Sequence, residues 1–312
     1  MTEKRKDPLI VIVGPTAVGK TSVSIELAAR LNGEIVSADS RLLYRHMDIG
    51  TAKPTEEEMS GIPHYLVDVA DPDERWNLAI YQREAYKIIN DILEREKIPF
   101  LVGGTGQYIR AIIEGWNIPP QRPDYKLREA LEKWAERIGA KGLYERLKLI
   151  DPEAAEKIDY RNMRRTIRAL EVILKTGERF SDLRRKQECP YDPIILGIER
   201  SREELYDRVD QRIEKMLGEG LVEEVRNLLN KGYSPDLSTM SAIGYGEIIK
   251  YLQGEITYDE AVNLIKRNTR TFVRRQANWF KPDDPRIKWF SVSPEMVGEM
   301  ELWIRSQLND KK

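Results

Sequence analysis

The chain has 312 residues, of which 41% are hydrophobic and 33% are charged, so it can bury a core beneath a strongly ionised surface. Its 51 basic and 52 acidic residues leave a net charge of −1, and any nucleic-acid site must therefore come from local clustering of charge. A single cysteine, Cys189, excludes an internal disulfide, and with only two histidines it is a poor basis for a structural zinc site. The longest apolar run near the start has five residues and no signal-peptide pattern around it, whereas a bilayer span needs roughly 20. We expect a cytoplasmic globular protein without membrane association.

The first forty residues contain a strand, a glycine-rich loop and a helix, in that order. Residues 9–13 are all aliphatic, which is typical of a strand buried on both faces in a parallel sheet, and residues 22–31 have helical spacing. The loop between them reads GPTAVGKT, whose glycines let backbone N–H groups and the helix N-terminus point at a phosphate. The pattern predicts a polyphosphate site, with the Lys20 ammonium on the phosphates and the Thr21 hydroxyl on Mg²⁺. The predicted binding residues are Gly14, Pro15, Thr16, Ala17, Val18, Gly19, Lys20 and Thr21.

Two further strand ends are predicted at the same edge of the sheet. A short strand at 34–36 is followed by Asp39, and a strand at 98–102 is followed by a glycine turn at 103–106 and a helix at 107–114. Because ligands of open α/β sheets bind beyond the carboxyl ends of the strands, we expect Asp39 beside the phosphate loop. Local sequence leaves two roles open for Asp39, a general base or magnesium partner on the one hand and a cap of the next turn on the other.

The remaining elements are predicted from apolar spacing. A strand at 63–69, with His64 as a packed or edge histidine, precedes a helix at 79–96. Three prolines at 119–123 mark a boundary, after which the pattern is helical from 124 to about 176. A strand at 193–198 and a helix at 202–217 then return the chain to the sheet. Within that helix Arg208 and Arg212 share a face, but spacing alone singles out neither.

This order predicts an α/β fold with a P-loop NTPase-like core, a parallel sheet flanked by helices, and an all-helical insertion domain. We place the core at 1–118 and 191–312 and the insertion domain at 119–190, with basic helices near the C-terminus.

Basic residues are concentrated in two places on this otherwise neutral chain. Nine basic residues face three acidic ones between 161 and 186, and six basic residues with no acid lie between 265 and 281. Two such clusters favour a nucleic acid over a small metabolite, the alternative being a solvated basic face.

Nine segments, spread over most of the chain, match one known family in that family's order. They are residues 14–21, 37–40, Tyr44, 48–54, 63–64, 101–105, 168–171, 243–245 and 275–279. In these segments the chain resembles the tRNA dimethylallyltransferases of bacterial type, and we therefore expect no C-terminal zinc-finger extension of the kind that some eukaryotic members carry.

The resemblance implies transfer of a dimethylallyl group from its diphosphate to the exocyclic amine of the adenosine on the 3′ side of a tRNA anticodon. The phosphate loop would hold the diphosphate of this donor with Mg²⁺ as cofactor, Asp39 would be the general base, Thr105 would lie near the reacting centre, and Arg212 would contact the diphosphate. A monomer suffices, and no obligate protein partner is expected. The RNA-binding residues implied or suggested by charge are Asp39, Ser40, Arg41, Leu42, Gln107, Arg164, Arg165, Arg168, Arg270, Arg274, Arg275 and Gln276.

Two other functions fit the phosphate loop. A nucleotide or nucleoside kinase uses the same loop for ATP, although the basic clusters and the lack of an obvious lid argue against it. A non-enzymatic RNA-binding NTPase would use Asp39 only as a cap.

Overall fold

The computed structural model describes residues 6–118, 124–183 and 188–309. The chain divides into two compact units. The core unit comprises Met1–Ile113 and Pro190–Lys312, and the helical unit comprises Glu114–Cys189. The proline-rich segment expected to mark the boundary, 119–123, lies outside the described residues.

The core unit contains a sheet in which every strand pair is parallel. Among the described residues it has six strands in the spatial order β3-β2-β4-β1-β5-β6. The strands are β1 (Asp7–Val13), β2 (Gly33–Ser37), β3 (His64–Tyr65), β4 (Ile98–Val102), β5 (Tyr191–Glu199) and β6 (Ile287–Ser291). The predicted α/β fold with a parallel sheet flanked by helices is therefore confirmed.

Helices surround this sheet because each crossover between parallel strands needs a long connection. In the first half of the core unit they are α1 (Lys20–Arg30), α2 (Glu56–Met59), α3 (Leu78–Glu94) and α4 (Gly106–Ile113). In the second half they are α9 (Arg202–Gly218), α10 (Leu221–Asn230), α11 (Tyr245–Leu252), α12 (Tyr258–Gln276) and α13 (Met296–Asn309). In the described ranges we find no helix with the combined length and apolar character that crossing a membrane requires.

Strand β1 lies at the centre of the hydrophobic core. It pairs with β4 on one side and β5 on the other, and its five aliphatic residues from Leu9 to Val13 are completely buried. Burial on both faces explains why the sequence shows a continuous apolar run instead of alternation. The phosphate loop follows directly, so it begins from a fully buried central strand of the sheet.

The helical unit has its own core. Its helices are α5 (Tyr125–Ile150), α6 (Pro152–Glu156), α7 (Met163–Thr176) and α8 (Phe180–Leu183). The Glu171 side chain is fully buried in this unit and accepts hydrogen bonds from Arg128 (2.9 Å), from Arg168 (2.7 Å) and from the backbone N–H of Asp124 (2.7 Å). Burial opposes ionisation of this carboxyl, but these donors outweigh it and lower its pKa.

Two expectations about strands were wrong. The strand expected at 63–69 ends after Tyr65, because Leu66 (φ +60°) and Asp68 (φ +55°) adopt left-handed conformations that break the extended chain. Strand β6 was not expected, because its apolar residues Ile287, Trp289 and Phe290 are interrupted by Lys288 and form no clear pattern. It adds to β5 at the edge of the sheet.

A buried carboxylate ties three parts of the sheet together. Glu34 on β2 is 1% exposed and binds both outer nitrogens of Arg95, at 2.7 and 2.6 Å. It also accepts hydrogen bonds from Lys97 (2.6 Å) and from the hydroxyl of Tyr65 on β3 (2.8 Å). The Arg95 contact, opposed by burial and assisted by Lys97 and Tyr65, lowers the pKa of Glu34 to about 2.

We expect Glu34→Gln to lower the free energy of unfolding by about 2–3 kcal/mol at pH 7, since the partly exposed partners moderate the cost of breaking the network. A depressed carboxyl pKa stabilises the fold above the unfolded value of 4.5, and that contribution disappears as the pH falls towards 2. Denaturant unfolding measures the difference in free energy of unfolding between wild type and Glu34→Gln, which at pH 3 should be less than half of its value at pH 7. The control Glu26→Gln, in an exposed pair with Arg30, should change stability by about 0.5 kcal/mol or less. An equal loss of stability at both pH values would contradict the lowered pKa of Glu34.

Candidate active site

Three strand ends meet at the carboxyl edge of the sheet. The phosphate loop follows β1, residues 38–40 follow β2, and the glycine turn at 103–106 follows β4. Since β4 lies between β2 and β1, the three segments are spatial neighbours. The expectation that Asp39 lies beside the phosphate loop rests on this topology, and the electrostatic coupling of Asp39 to Lys20 agrees with it.

The phosphate loop adopts a backbone that only small residues accommodate. Gly14 has φ +151°, and a Cβ there would lie 2.7 Å from the carbonyl oxygen of Ile198 on β5. Gly19 has φ +110° at the start of α1, and Ala17 is also left-handed with φ +66°. The loop therefore wraps closely around the N-terminal end of α1, which is the arrangement that directs N–H groups at an anion.

Lys20 carries a charge that its surroundings disfavour. Its ammonium donates a hydrogen bond to the carbonyl of Pro15 at 2.8 Å. Burial lowers its pKa from 10.5 to about 8, Asp39 partly opposes this shift, and Arg212 adds to it. An anion entering the loop would restore the full charge of Lys20.

Three arginines of the second half of the core unit reach the same region. Arg212 on α9 donates to the carbonyl of Thr51 at 3.3 Å, and burial lowers its pKa against the opposing effect of Asp39. Arg208, one helical turn earlier, donates to the Ala17 carbonyl at 2.8 Å. Arg200, just before α9, donates to the Val18 carbonyl at 3.2 Å. Arg208 and Arg212 are four residues apart and share a helix face, which is the signal that the sequence offered for these two arginines. Nothing in the sequence singled out Arg200.

Asp39 and Thr105 lie in a network that joins two strand ends. The Asp39 carboxylate accepts from the backbone N–H of Arg41 at 2.9 Å, so it does cap the turn that follows. The Thr105 hydroxyl accepts from the Ser40 N–H at 3.0 Å and donates to the Ser40 hydroxyl at 3.3 Å. The turn-capping contact and the electrostatic coupling to Lys20 and Arg212 therefore coexist in the same Asp39 carboxylate.

The glycine turn after β4 allows unusually close contacts. A Cβ on Gly103 would lie 2.2 Å from the carbonyl oxygen of Ala38, and one on Gly106 would lie 2.2 Å from the Trp279 ring. These glycines therefore let the segments that follow β2, β4 and α12 approach one another closely.

Gln276 has a different position from the one expected for an RNA contact. Its side chain is 7% exposed, and its Oε1 accepts from the Thr16 N–H at 2.8 Å while its Nε2 donates to the Gly104 carbonyl at 3.1 Å. Both ends of the amide are thus used to connect the phosphate loop with the glycine turn. Gln276 supports the site from within, and its side chain does not face outward for RNA.

The other residues expected to contact RNA fall into three groups, which are exposed, half-buried, or held in ion pairs. Gln107, Arg164, Arg165, Arg274 and Arg275 are exposed, while Ser40, Arg41 and Leu42 are half-buried. Arg168 is engaged by the buried Glu171, and Arg270 binds Asp210 at 2.5 Å and lies over the Tyr206 ring. These two arginines have structural partners that charge counting did not reveal. The basic residues Arg184, Arg185 and Lys186 lie outside the described residues.

A metal at this site would rely on few protein ligands. Among the described residues no group of three or more His, Cys, Asp or Glu side chains could hold an ion. Thr21 is exposed at the second position of α1. One hydroxyl beside an anion site suits Mg²⁺, which keeps several waters and takes oxygens from substrate phosphates.

Family models cover most of the chain. One described as "IPP transferase" matches residues 42–283, and one described as "Isopentenyl transferase" matches residues 8–70. A tRNA dimethylallyltransferase of Roseiflexus sp. (strain RS-1) is 51% identical over 274 residues, covering 88% of this chain and 90% of the relative. One of Desulforudis audaxviator is 46% identical over 305 residues, covering 94% and 98%.

Solved structures give the same result. The full-length tRNA isopentenylpyrophosphate transferase of Bacillus halodurans is 42% identical, with a TM-score of 0.74 and 98% of each chain covered. A eukaryotic dimethylallyltransferase acting on tRNA is 26% identical, with a TM-score of 0.81 over 96% of this chain and 77% of that one. Taken with the phosphate loop and the residues that surround it, these matches establish that the chain belongs to the tRNA dimethylallyltransferase family of IPP transferases.

Proposed function

We propose that this protein transfers a dimethylallyl group from dimethylallyl diphosphate to the exocyclic amine of the adenosine 3′-adjacent to the anticodon in tRNA, releasing diphosphate. The observation that carries this proposal is the loop at residues 14–21, in which Ala17 and Gly19 are left-handed and whose carbonyls accept hydrogen bonds from Lys20 and Arg208. Arg212 and Asp39 lie near enough to this loop to interact electrostatically with Lys20. Such a site is poised for an anionic leaving group, and the family membership of the chain indicates which one.

The main contribution of this site to the reaction is to stabilise the negative charge of the leaving group. When the bond between the allylic carbon and oxygen breaks, negative charge develops on the diphosphate. Lys20, Arg212 and the loop N–H groups are preorganised to stabilise that charge. Arg208 and Arg200 add positive charge at the rim of the loop. A diphosphate bound here would also offset the electrostatic repulsion between Lys20 and Arg212 and between Arg212 and Arg208.

Asp39 would take the proton from the adenine amine. The lone pair of this amine is delocalised into the ring, so it is a poor nucleophile without a base. A carboxylate that accepts the proton as the nitrogen–carbon bond forms contributes about 10²–10⁴-fold to such a reaction. Ser40 and Thr105 hold the segment that carries Asp39, which supports a positioning task for the Thr105 hydroxyl.

Mg²⁺ is the proposed cofactor. Thr21 would supply a hydroxyl ligand, with the remaining ligands coming from diphosphate oxygens and water. When bound, the ion neutralises part of the charge on the leaving diphosphate.

The exposed arginines are proposed to bind the RNA backbone. Arg274 and Arg275 lie in the last turn of α12, and Arg164 and Arg165 lie in the first turn of α7. The target adenosine must leave its stack, which costs about a few kcal/mol, and backbone contacts offset this cost. Since tRNA is the acceptor, we expect the enzyme to work in the cytoplasm, as a monomer without an obligate protein partner.

A kinase remains the alternative use of a phosphate loop, but the family membership of the chain does not favour it. Incubating the protein with Mg²⁺, dimethylallyl diphosphate and unmodified tRNA, followed by nucleoside mass spectrometry, tests the proposal. An isopentenyl group on adenosine is the expected product. No product, together with ATP-dependent phosphorylation of a nucleotide, would refute it.

We expect Asp39→Asn to lower turnover by about 10²–10⁴-fold, because the amide cannot accept the proton. Affinities for donor and tRNA should stay close to those of the wild type, since the asparagine oxygen can still accept from Arg41. Single-turnover kinetics and separate binding titrations measure these quantities. The exposed Asp283→Asn serves as control, and near-normal turnover of Asp39→Asn would remove Asp39 as the base.

Donor affinity should fall as the pH rises through the pKa of Lys20, about 8. Lysine is charged below its pKa, so binding is strongest below pH 8 and weakens by about fivefold between pH 8 and pH 9. Calorimetric titration of dimethylallyl diphosphate over this range measures the change. Lys20→Arg should bind more weakly but without this pH dependence, because guanidinium stays protonated. A flat profile for the wild type would contradict the role of Lys20.

Substituting Arg274→Ala or Arg275→Ala should weaken tRNA binding and reduce the magnitude of the slope of log K against log[salt] by about one. The reason is that a variant with one phosphate contact fewer releases about one counterion fewer when it binds. Filter binding over a range of salt concentrations measures the slope. Arg226→Ala, which removes an exposed arginine paired with Glu223, is the matched control. An unchanged slope in both α12 variants would argue against this surface.

A further inference from the structure

Two segments that carry the family resemblance have no role so far in binding the donor or in accepting the proton of the amine. They are residues 48–54, with the sequence DIGTAKP, and residues 243–245, with the sequence IGY. The first segment contacts a residue of the site through the carbonyl oxygen of Thr51, which accepts a hydrogen bond from Arg212 at 3.3 Å. The position of this carbonyl therefore bears on where the Arg212 guanidinium lies.

A carboxylate from another helix holds this segment. Glu224 on α10 accepts hydrogen bonds from three consecutive backbone N–H groups, those of Asp48 (2.9 Å), Ile49 (2.7 Å) and Gly50 (3.1 Å). Consecutive N–H groups that converge on one anion form a nest, and the bonds are strengthened by the charge of the acceptor.

The IGY segment completes this contact. The hydroxyl of Tyr245 donates to Glu224 at 2.6 Å, and the Tyr245 side chain is completely buried. A Cβ at Gly50 would lie 2.5 Å from the Tyr245 ring, so only glycine lets the loop approach this closely. The turn before Tyr245 is itself fixed, since the Gly244 N–H donates to the buried Glu247 at 2.8 Å.

The far end of the loop is held as well. The Lys53 side chain is 6% exposed, donates to the Tyr44 carbonyl at 2.9 Å, and pairs with Asp48 and Asp68. The Lys53 N–H donates to the Asp48 carbonyl at 2.9 Å, which closes the loop. The Thr51 carbonyl lies between these two anchored ends and has little freedom to move.

We propose that Glu224 and Tyr245 are positioning residues that act through Arg212. By fixing residues 48–51, they fix the Thr51 carbonyl, which in turn holds the Arg212 guanidinium in place for the diphosphate. Arginine has a long side chain with many rotamers, so a preformed acceptor reduces the entropy lost when the anion binds. This inference deepens the proposed function and rests on it only in taking a diphosphate as the ligand.

A double-mutant cycle with inorganic pyrophosphate as the probe tests it, measured by calorimetry on the full chain. In Glu224→Gln the amide nitrogen faces backbone N–H and hydroxyl donors, so we expect pyrophosphate affinity to fall by about tenfold. In the Arg212→Ala background the same change should have less than about a twofold effect, because the residue it acts through is gone. Tyr245→Phe should show a smaller loss with the same dependence on Arg212.

Glu223→Gln, the exposed neighbour paired with Arg226, is the matched control and should leave pyrophosphate affinity unchanged. Affinity for tRNA and the melting temperature should stay close to wild type in Tyr245→Phe. An equal loss in both Arg212 backgrounds, no loss at all, or a parallel loss of tRNA affinity would overturn the inference. A wild type that forms the isopentenyl product but does not bind pyrophosphate would overturn the inference alone, whereas a wild type that forms no product would count against the proposed function.

Discussion

Lys20 and Arg212 are half-buried cations that lie near one another, and Asp39 is the carboxylate that opposes the lowering of their pKa values. Removing positive charge from water in this way is unfavourable unless partners compensate it, and an anionic ligand would complete that compensation. The loop that carries Lys20 begins from β1, the fully buried central strand of the sheet. Arg212 on α9 donates a hydrogen bond to the carbonyl of Thr51, in the loop at 48–51.

Close packing across long sequence distances supports this arrangement. Gln276 lies 260 residues after Thr16 in sequence, yet its amide connects Thr16 with Gly104. Trp279 packs against Gly106, and Arg110 donates to the Trp279 carbonyl. Helix α12, which carries the exposed arginines proposed to meet RNA, therefore ends in direct contact with the loop proposed to hold the diphosphate. The residues proposed for the donor and two of the arginines proposed for tRNA, Arg274 and Arg275, therefore lie in the core unit, whereas Arg164 and Arg165 lie in the helical unit.

The two basic clusters illustrate how charge counting can mislead. Arg168 neutralises the buried Glu171 and Arg270 binds Asp210, whereas Arg164, Arg165, Arg274 and Arg275 remain exposed. The sequence shows all of these only as positive charges, but Arg168 has a fully buried carboxylate as its partner and Arg270 a half-buried one. The footprint available to a polyanion is consequently smaller than the cluster it was inferred from.

The α/β architecture, the phosphate loop and the expected position of Asp39 beside it could all be predicted from the amino-acid sequence, because hydrophobic period, glycine spacing and strand ends are local properties. The family could be predicted as well, from segments spread along most of the chain. Other features become visible only in the folded chain: Gln276 faces inward, Arg208 and Arg200 reach the loop, and Glu224 holds residues 48–50. The tertiary structure also revealed β6 and cut the strand expected at 63–69 to two residues. These features depend on contacts between residues that are far apart in sequence. The residues around one partner do not indicate which distant residue it will contact.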